Sequence, residues 1–166
     1  VVCRSNYETV KAHGFEIKSP LGDGLFRPVQ VYQATHAPNV FDDYVVVTTK
    51  VLPDADVVND IRKFVGPETC IVLIQNGIDI EKPIQAAFPN NTLISGLAFI
   101  CVSQNQPGKI THLDYGRLVL GVYPEGQSEH VDEWVETLVL AGIPCRAVDR
   151  KSTRLNSSHL VISYAV

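Results

Sequence analysis

Three short polar motifs follow apolar segments that have the length and composition of buried β-strands. They are Cys3-Arg4-Ser5, Thr48-Thr49-Lys50 and Gln75-Asn76-Gly77. In open α/β sheets, ligands bind beside the carboxyl ends of the strands. We therefore expect the chemistry of this chain to depend on these three motifs.

Arg4, with Ser5 behind it, occupies the position at which cofactor choice is made in a dinucleotide-binding fold. There the end of the second strand meets the adenine ribose, and an acidic residue selects NAD by binding the 2′-hydroxyl. A guanidinium fork instead matches phosphate oxygens. Arg4 therefore indicates NADP, although a solvated arginine at a strand end is the simpler alternative for a lone basic residue.

Lys50, Asn76 and Gly77 offer different chemistry at the other two strand ends. The ammonium of Lys50 can lean on a cofactor or an anionic substrate, or it can extend from the sheet rim into solvent. The Asn76 carboxamide both donates and accepts hydrogen bonds, which suits a ribose hydroxyl or a keto acid. Because Asn-Gly is also a common turn pair, an ordinary turn remains the alternative.

The composition excludes several classes of protein. The chain has 166 residues, of which 45% are apolar, and a formal charge of −4. The apolar share is too high for a disordered chain, and the acidic balance argues against nucleic-acid binding by bulk electrostatics. No stretch is apolar for the ~18 residues that a membrane helix needs. We expect neither a nucleic-acid nor a membrane partner, and the oligomeric state is left open.

The cysteines indicate a reducing compartment, so we expect a cytoplasmic protein. Cys3, Cys70, Cys101 and Cys145 are far apart, lie in apolar runs and form no CxxC pair. This spacing gives little support to a zinc or redox site, and the histidines show no ligand spacing either. We expect all four thiols to be small, buried and inert, and no metal to bind.

The two ends of the sequence stand apart from the rest. There is no methionine, and the chain opens inside an apolar run, so we expect residues to precede Val1. Residues 149–166 read DRKSTRLNSSHLVISYAV and resemble the in-frame translation of a sequencing adapter. We expect this tail to be non-native and to add nothing to the core, leaving 1–148 as the genuine chain. A polar loop followed by a strand is the alternative.

Apolar periodicity predicts short strands that alternate with amphipathic helices. The predicted strands cover 1–3, 15–19, 26–35, 41–49, 70–74, 92–102, 109–122 and 143–148. The helices cover 7–13, a segment opening at Pro53-Asp54, a segment carrying Ile80 to Phe88, and a segment capped by Ser128. Residues 15–35 form a predicted hairpin, and 44–47 a strand buried on both faces. This alternation predicts an α/β fold with a doubly wound, Rossmann-like parallel sheet.

The combined motifs resemble the N-terminal domain of the ketopantoate reductase (2-dehydropantoate 2-reductase) family over about all of residues 1–148. The resemblance is carried by CRSNYETVKAHG, FEIKSPLGDGLFRPVQV, VVVTTK, IVLIQNGID and PGKITHLDYGRLVLG. It implies hydride transfer from NADPH to 2-dehydropantoate, giving pantoate. It also implies that Arg4 selects the phosphate, that Lys50 lies beside nicotinamide and substrate, and that Asn76 touches both. The predicted cofactor-binding set is Arg4, Ser5, Lys50, Gln75, Asn76 and Gly77, and the predicted substrate-binding pair is Lys50 and Asn76.

Two parts of the family pattern are not found in this sequence. The family's first strand and G-x-G-x-x-G loop would precede Val1, and its helical domain with the catalytic lysine and an acidic residue would follow Val148. We therefore expect no catalytic residue in this fragment and no turnover by it. Related dehydrogenases acting on opines, glycerol phosphate or other 2-keto acids are alternatives, as is a non-catalytic dinucleotide-binding module.

Overall fold

The computed structural model describes residues 1–3 and 5–148. Arg4 and the tail 149–166 lie outside the described residues, so the expectations for both remain predictions. The strands are β1 (Val2–Cys3), β2 (Phe15–Lys18), β3 (Gly24–Phe26), β4 (Tyr32–Gln33), β5 (Tyr44–Val47), β6 (Cys70–Ile74), β7 (Leu93–Gln106), β8 (Lys109–Tyr123) and β9 (Cys145–Ala147). The α-helices are α1 (Tyr7–His13), α2 (Val57–Ile61), α3 (Glu81–Ala87) and α4 (Glu129–Leu140), and 3-10 turns cover Ala34–His36 and Arg62–Phe64.

The described chain divides into two compact units. The first contains residues 1–39 and 99–116, and the second contains residues 40–98 and 117–148. The long strands β7 and β8 contribute residues to both units. Each unit has its own architecture.

The second unit is a sheet in the order β5, β6, β7, β8, β9. Strand β6 is parallel to both β5 and β7, and β9 is parallel to β8. Strands β7 and β8 are joined by only Pro107 and Gly108, a connection that antiparallel neighbours use. The sheet is therefore mixed, with a parallel half that contains the strands leading to Lys50 and Asn76.

Apolar side chains on both faces of β6 hold the helices of the second unit. Ile71 and Leu73 pack in one core with residues of α2 and α3, such as Ile61 and Ile84. Cys70, Val72 and Ile74 pack on the opposite face with Val131 and Trp134 of α4, together with the other members of a second core. Helices on both faces confirm the doubly wound α/β class.

Local sequence explains where the helices begin and end. Helix α2 begins after Asp56, whose carboxylate accepts the N–H of Asn59 at 3.0 Å. Ser128 caps α4 in the same way, its hydroxyl accepting the N–H of His130 at 3.3 Å. Helix α1 ends at Gly14, which has a φ of +79°. Each cap satisfies main-chain groups that a helix end leaves without partners.

The first unit is built around the hairpin of β2 and β3. These strands are antiparallel, and β2 also pairs in parallel with β8. The hairpin is confirmed, but the prediction of one strand over 26–35 is wrong. Strand β3 ends at Phe26, two residues before Pro28, which lacks the N–H that a ladder needs. Residues Tyr32–Gln33 instead form β4, which runs parallel to β1.

Three further predictions need correction. Helix α2 begins at Val57 and not at Pro53, because the Asp56 cap fixes its start. Val46 is 43% exposed, so β5 is not buried on both faces; α4 packs against Tyr44 on that face. Of the four thiols predicted to be buried, only Cys3 and Cys70 are; Cys145 is half-buried. Cys101 is exposed because it lies in the part of β7 where most side chains face solvent.

Candidate functional site

The ends of β5 and β6 lie side by side. The two strands are parallel, and their last paired residues are Val47 and Leu73. The polar motifs 48–50 and 75–77 therefore leave the sheet at the same edge. The structure thus brings together two of the three motifs that the sequence singled out.

A buried carboxamide joins these two loops. The Nε2 group of Gln75 donates to the main-chain oxygen of Thr49 at 2.6 Å and to its Oγ1 at 3.1 Å. Gln75 is only 8% exposed, whereas Thr49 is exposed. A buried amide without partners costs about 1–3 kcal/mol, so these bonds favour one arrangement of the two loops.

Lys50 and Asn76 each follow one member of this pair, and both are exposed. One brings an ammonium with three donors, and the other brings a carboxamide that donates and accepts. Exposed apolar side chains lie in the same segments: Val51 is 48% exposed, Leu52 45% and Ile78 88%. The edge therefore combines a cation, a neutral polar group and apolar surface, which is a typical composition for a small-molecule site.

Gly77 is required by close packing after Asn76. A Cβ built on Gly77 would lie 2.5 Å from Cγ2 of Ile80 and 3.6 Å from Cγ2 of Val51. Ile80 is the residue that precedes α3, so the loop passes tightly beneath the start of this helix. A glycine here lets the main chain approach where any side chain would push it away.

The start of α3 is anchored by two further contacts. Ser95 of β7 donates its hydroxyl hydrogen to Oε1 of Glu81 at 2.7 Å. Lys82 pairs with Asp79 at 2.8 Å, and Asp79 has a φ of +60°. The loop from Asn76 to α3 is therefore held at both ends.

Ser5 belongs to the first unit. Ser5 is exposed in the turn between β1 and α1, and Arg4 lies outside the described residues. Cys3, which precedes them, is buried, and this burial raises the pKa of its thiol. The predicted phosphate contact of Arg4 and Ser5 remains a prediction.

A second polar cluster lies at the opposite end of β5. The hydroxyl of Tyr44 donates to Oε2 of Glu133 at 2.9 Å and lies 3.1 Å from Nδ1 of His130. Burial and then the bond to Glu133 raise the pKa of Tyr44 to about 12. Burial also raises the pKa of the neighbouring Cys70 thiol to about 12, so this thiol stays protonated at neutral pH. The cluster attaches α4 to the sheet.

The sequence motifs did not reveal that Gln75 and Thr49 are hydrogen-bond partners. They singled out Gln75 as a cofactor contact, but nothing in the local pattern indicates that its amide faces Thr49, 26 residues earlier. Both residues lie two positions after the last ladder pair, Val47 and Leu73, and this equal offset is a usable signal once the register of the two parallel strands is known.

Residues 1–3 and 5–148 contain neither a metal-binding cluster nor a membrane-spanning helix. That part of the chain contains no group of three or more His, Cys, Asp or Glu side chains arranged to hold a metal ion. No helix there is long and apolar enough to cross a membrane.

Comparison with known proteins gives consistent matches. The family model described as ketopantoate reductase PanE/ApbA matches residues 1–125. A 2-dehydropantoate 2-reductase from a Nostoc species is 32% identical over 126 residues, which cover 75% of this chain and 39% of that protein. The chain thus spans well under half the length of this curated relative.

Solved structures agree with this match. The crystal structure of 2-dehydropantoate 2-reductase from Methylococcus capsulatus has 48% sequence identity and a TM-score of 0.84, covering 93% of this chain and 50% of that one. A ternary structure of D-mandelate dehydrogenase with NADH and anilino(oxo)acetate has a TM-score of 0.77 over 89% of this chain and 48% of that one. At 16% identity, the second likeness concerns the fold alone.

Proposed function

Since this chain belongs to the ketopantoate reductase PanE/ApbA family, we propose that it is part of an oxidoreductase that reduces 2-dehydropantoate to pantoate with NADPH. This reaction would place it in the biosynthesis of pantothenate. The family is that of an oxidoreductase, and the substrate and cofactor are the parts of this statement that require experiment.

The observation that carries the proposal is the junction of the two strand-end loops. Because Gln75 binds Thr49, the residues that follow them, Lys50 and Asn76, leave the same edge of the sheet. We propose that the Lys50 ammonium binds the substrate's keto or carboxylate oxygen beside the nicotinamide. Asn76 would donate to the same substrate or to the cofactor ribose.

The residues present at this edge fit a nicotinamide dinucleotide. The exposed carboxamide of Asn76 suits ribose hydroxyls, and the exposed apolar side chains of Val51 and Leu52 suit the face of a ring. When bound, the cofactor supplies the hydride that the keto carbon accepts. The protein's part here is to orient the keto acid and to balance its negative charge.

The choice of NADP rests on Arg4 and Ser5. We propose that the Arg4 guanidinium pairs with the 2′-phosphate and that the Ser5 hydroxyl adds a second hydrogen bond. The reduced thiols favour a cytoplasmic location.

We further propose that residues 1–148 are a partial dinucleotide-binding domain and that residues 149–166 are non-native. The keto oxygen must gain a proton as its carbon gains the hydride. In this family that proton donor is expected in a helical domain. We therefore expect the 166-residue chain alone to give no turnover of 2-dehydropantoate with NADPH, whereas the complete protein should turn it over.

A substrate panel tests the proposed function. The complete protein is assayed for NADPH consumption with 2-dehydropantoate, with phenylglyoxylate as a bulkier aromatic keto acid, and with dihydroxyacetone phosphate. We expect the highest kcat/KM with 2-dehydropantoate. A preference for another acceptor would identify a related dehydrogenase. NADPH binding without any turnover would indicate a non-catalytic dinucleotide-binding module.

A further inference from the structure

The ladder between β5 and β6 ends before the polar loops begin. The last paired residues are Val47 and Leu73, and Thr49 and Gln75 each lie two residues further on. They therefore lie equally far along the chain from the last ladder pair, as do Lys50 and Asn76 one residue further on. Without another contact, two exposed loops would diverge here.

The side chain of Gln75 replaces the missing ladder bonds. Its amide group donates both to the Thr49 carbonyl, at 2.6 Å, and to the Thr49 hydroxyl oxygen, at 3.1 Å. Gln75 is 8% exposed whereas Thr49 is exposed, so these bonds lie at the boundary between the core and solvent. An amide nitrogen has two hydrogens, and two acceptors of Thr49 lie within hydrogen-bond distance of this one.

The direct cofactor contact predicted from sequence for Gln75 stays a prediction, and these two bonds point to a second role for this residue. Resting on the proposed function, we propose that Gln75 is a positioning residue, which holds Lys50 and Asn76 at the spacing that the keto acid requires and which acts through Thr49. Small displacements of groups that orient a substrate reduce rates strongly, by about a hundredfold per ångström in unfavourable cases.

The chain offers a matched control at the opposite end of the same strands. Asn91 is also an amide that joins loops: its Nδ2 donates to the main-chain oxygens of Gly66 at 2.7 Å and Thr69 at 2.9 Å. These loops precede β6, whereas Gln75 follows it. Loss of the Asn91 amide should therefore cost stability without moving Lys50 or Asn76.

The experiment compares Gln75→Met with Asn91→Leu, both nearly isosteric changes that remove the donors, in the complete reductase. We expect Gln75→Met to lower kcat/KM for the keto acid about tenfold or more, with the Kd for NADPH changed less than about threefold. Asn91→Leu should keep wild-type kinetics. Thr49→Val, which removes only the 3.1 Å acceptor at an exposed residue, should show a smaller loss in the same direction.

Two results would overturn the proposal. A large rise in the Kd for NADPH with unchanged kcat would make Gln75 a direct cofactor ligand. Lowered melting temperatures in both amide variants, with unchanged kinetics in both, would make Gln75 purely structural.

Hydrogen exchange tests the positioning role of Gln75 independently of the proposed function. If the wild-type reductase turns over no keto acid, the function fails, and exchange of the 166-residue chain still tests the positioning. Gln75→Met should then speed exchange of the amides at 48–51 and 76–79, whereas Asn91→Leu should not. Unchanged exchange in both loops would contradict the inference.

Discussion

Arg4 is the residue proposed to select between the two cofactors. If its guanidinium pairs with the 2′-phosphate, Arg4→Ala removes one charge-assisted contact, on the order of 1.5–3 kcal/mol. In the complete protein, we expect the Kd for NADPH to rise about ten- to a hundredfold, with little change for NADH. Fluorescence titration with both cofactors measures this difference.

Arg27→Ala provides a control, since Arg27 is an exposed arginine of the first unit. It should leave both affinities unchanged. Equal weakening of NADPH and NADH by Arg4→Ala would instead show that Arg4 maintains the strand end. If Arg4→Ala changed neither affinity, Ser5 or Lys11 would be the next candidate for the phosphate.

The raised pKa of Tyr44 makes the free energy of unfolding fall at alkaline pH. Burial and the bond to Glu133 raise the pKa of its phenol to about 12, so the folded state retains a proton that the unfolded state loses near pH 10. The stabilisation that the protonated Tyr44 gives to the folded state is therefore full below about pH 10 and is lost as pH rises toward 12. The buried Cys70 thiol also has a raised pKa, so its stabilisation of the folded state is lost as pH rises above about 9.

We therefore expect urea denaturation of the chain to give an unfolding free energy that falls between about pH 9 and 12. Tyr44→Phe should flatten the part of this decrease above about pH 10, whereas Tyr115→Phe, at an exposed tyrosine, should not. An unchanged slope in Tyr44→Phe would mean that Tyr44 ionises as readily in the folded chain as in the unfolded one.

At the scale of elements, the loop between β6 and α3 is the most constrained part of the site. Gly77→Ala places a methyl group 2.5 Å from Cγ2 of Ile80, so the Ile80 side chain, the loop or α3 must shift. We expect a loss of about 1–3 kcal/mol in unfolding free energy, together with weaker keto-acid binding. Gly24→Ala is the control, because a Cβ there meets no atom within 4 Å.

Thermal and urea denaturation of the two glycine variants measure this difference. Gly24→Ala should stay within about 0.5 kcal/mol of the wild-type value. Equal effects of both substitutions would mean that the contact with Ile80 relaxes at no cost.

The elements with strong local signals were predictable from sequence. The continuous apolar run 70–74 predicted the observed bounds of β6, and the Ser128 cap predicted the observed start of α4. Pairing between distant segments was not predictable, because local periodicity does not reveal partners. Tyr32–Gln33 therefore appeared to extend the hairpin, although it pairs with β1.

In the candidate site, too, the positions of single residues were predictable from sequence, but the contact between distant residues was not. Parallel strand ends placed Lys50 and Asn76 at one edge, as the general rule for α/β sheets predicts. The hydrogen bond from Gln75 to Thr49 spans 26 residues and depends on the register of β5 against β6. Register follows from packing of the whole sheet, so the sequence pattern gave the residue but not its partner.

At the scale of the whole molecule, this chain corresponds to about half of the Methylococcus capsulatus reductase chain that it resembles. Its described residues include the edge that is proposed to orient a keto acid. The proton donor is proposed to lie elsewhere in the complete protein. The proposal therefore predicts that turnover requires the complete protein.

The most direct test of the account measures NADPH consumption with 2-dehydropantoate by the complete protein and by its Lys50→Met and Asn76→Ala variants. Lys18→Met and Asn90→Ala, at exposed positions elsewhere, serve as controls. The account predicts that kcat/KM falls by about a hundredfold or more in Lys50→Met, because a charge facing the developing oxyanion is lost, and by about tenfold or more in Asn76→Ala. Both controls should match the wild type. Wild-type turnover in the Lys50 and Asn76 variants would contradict the account.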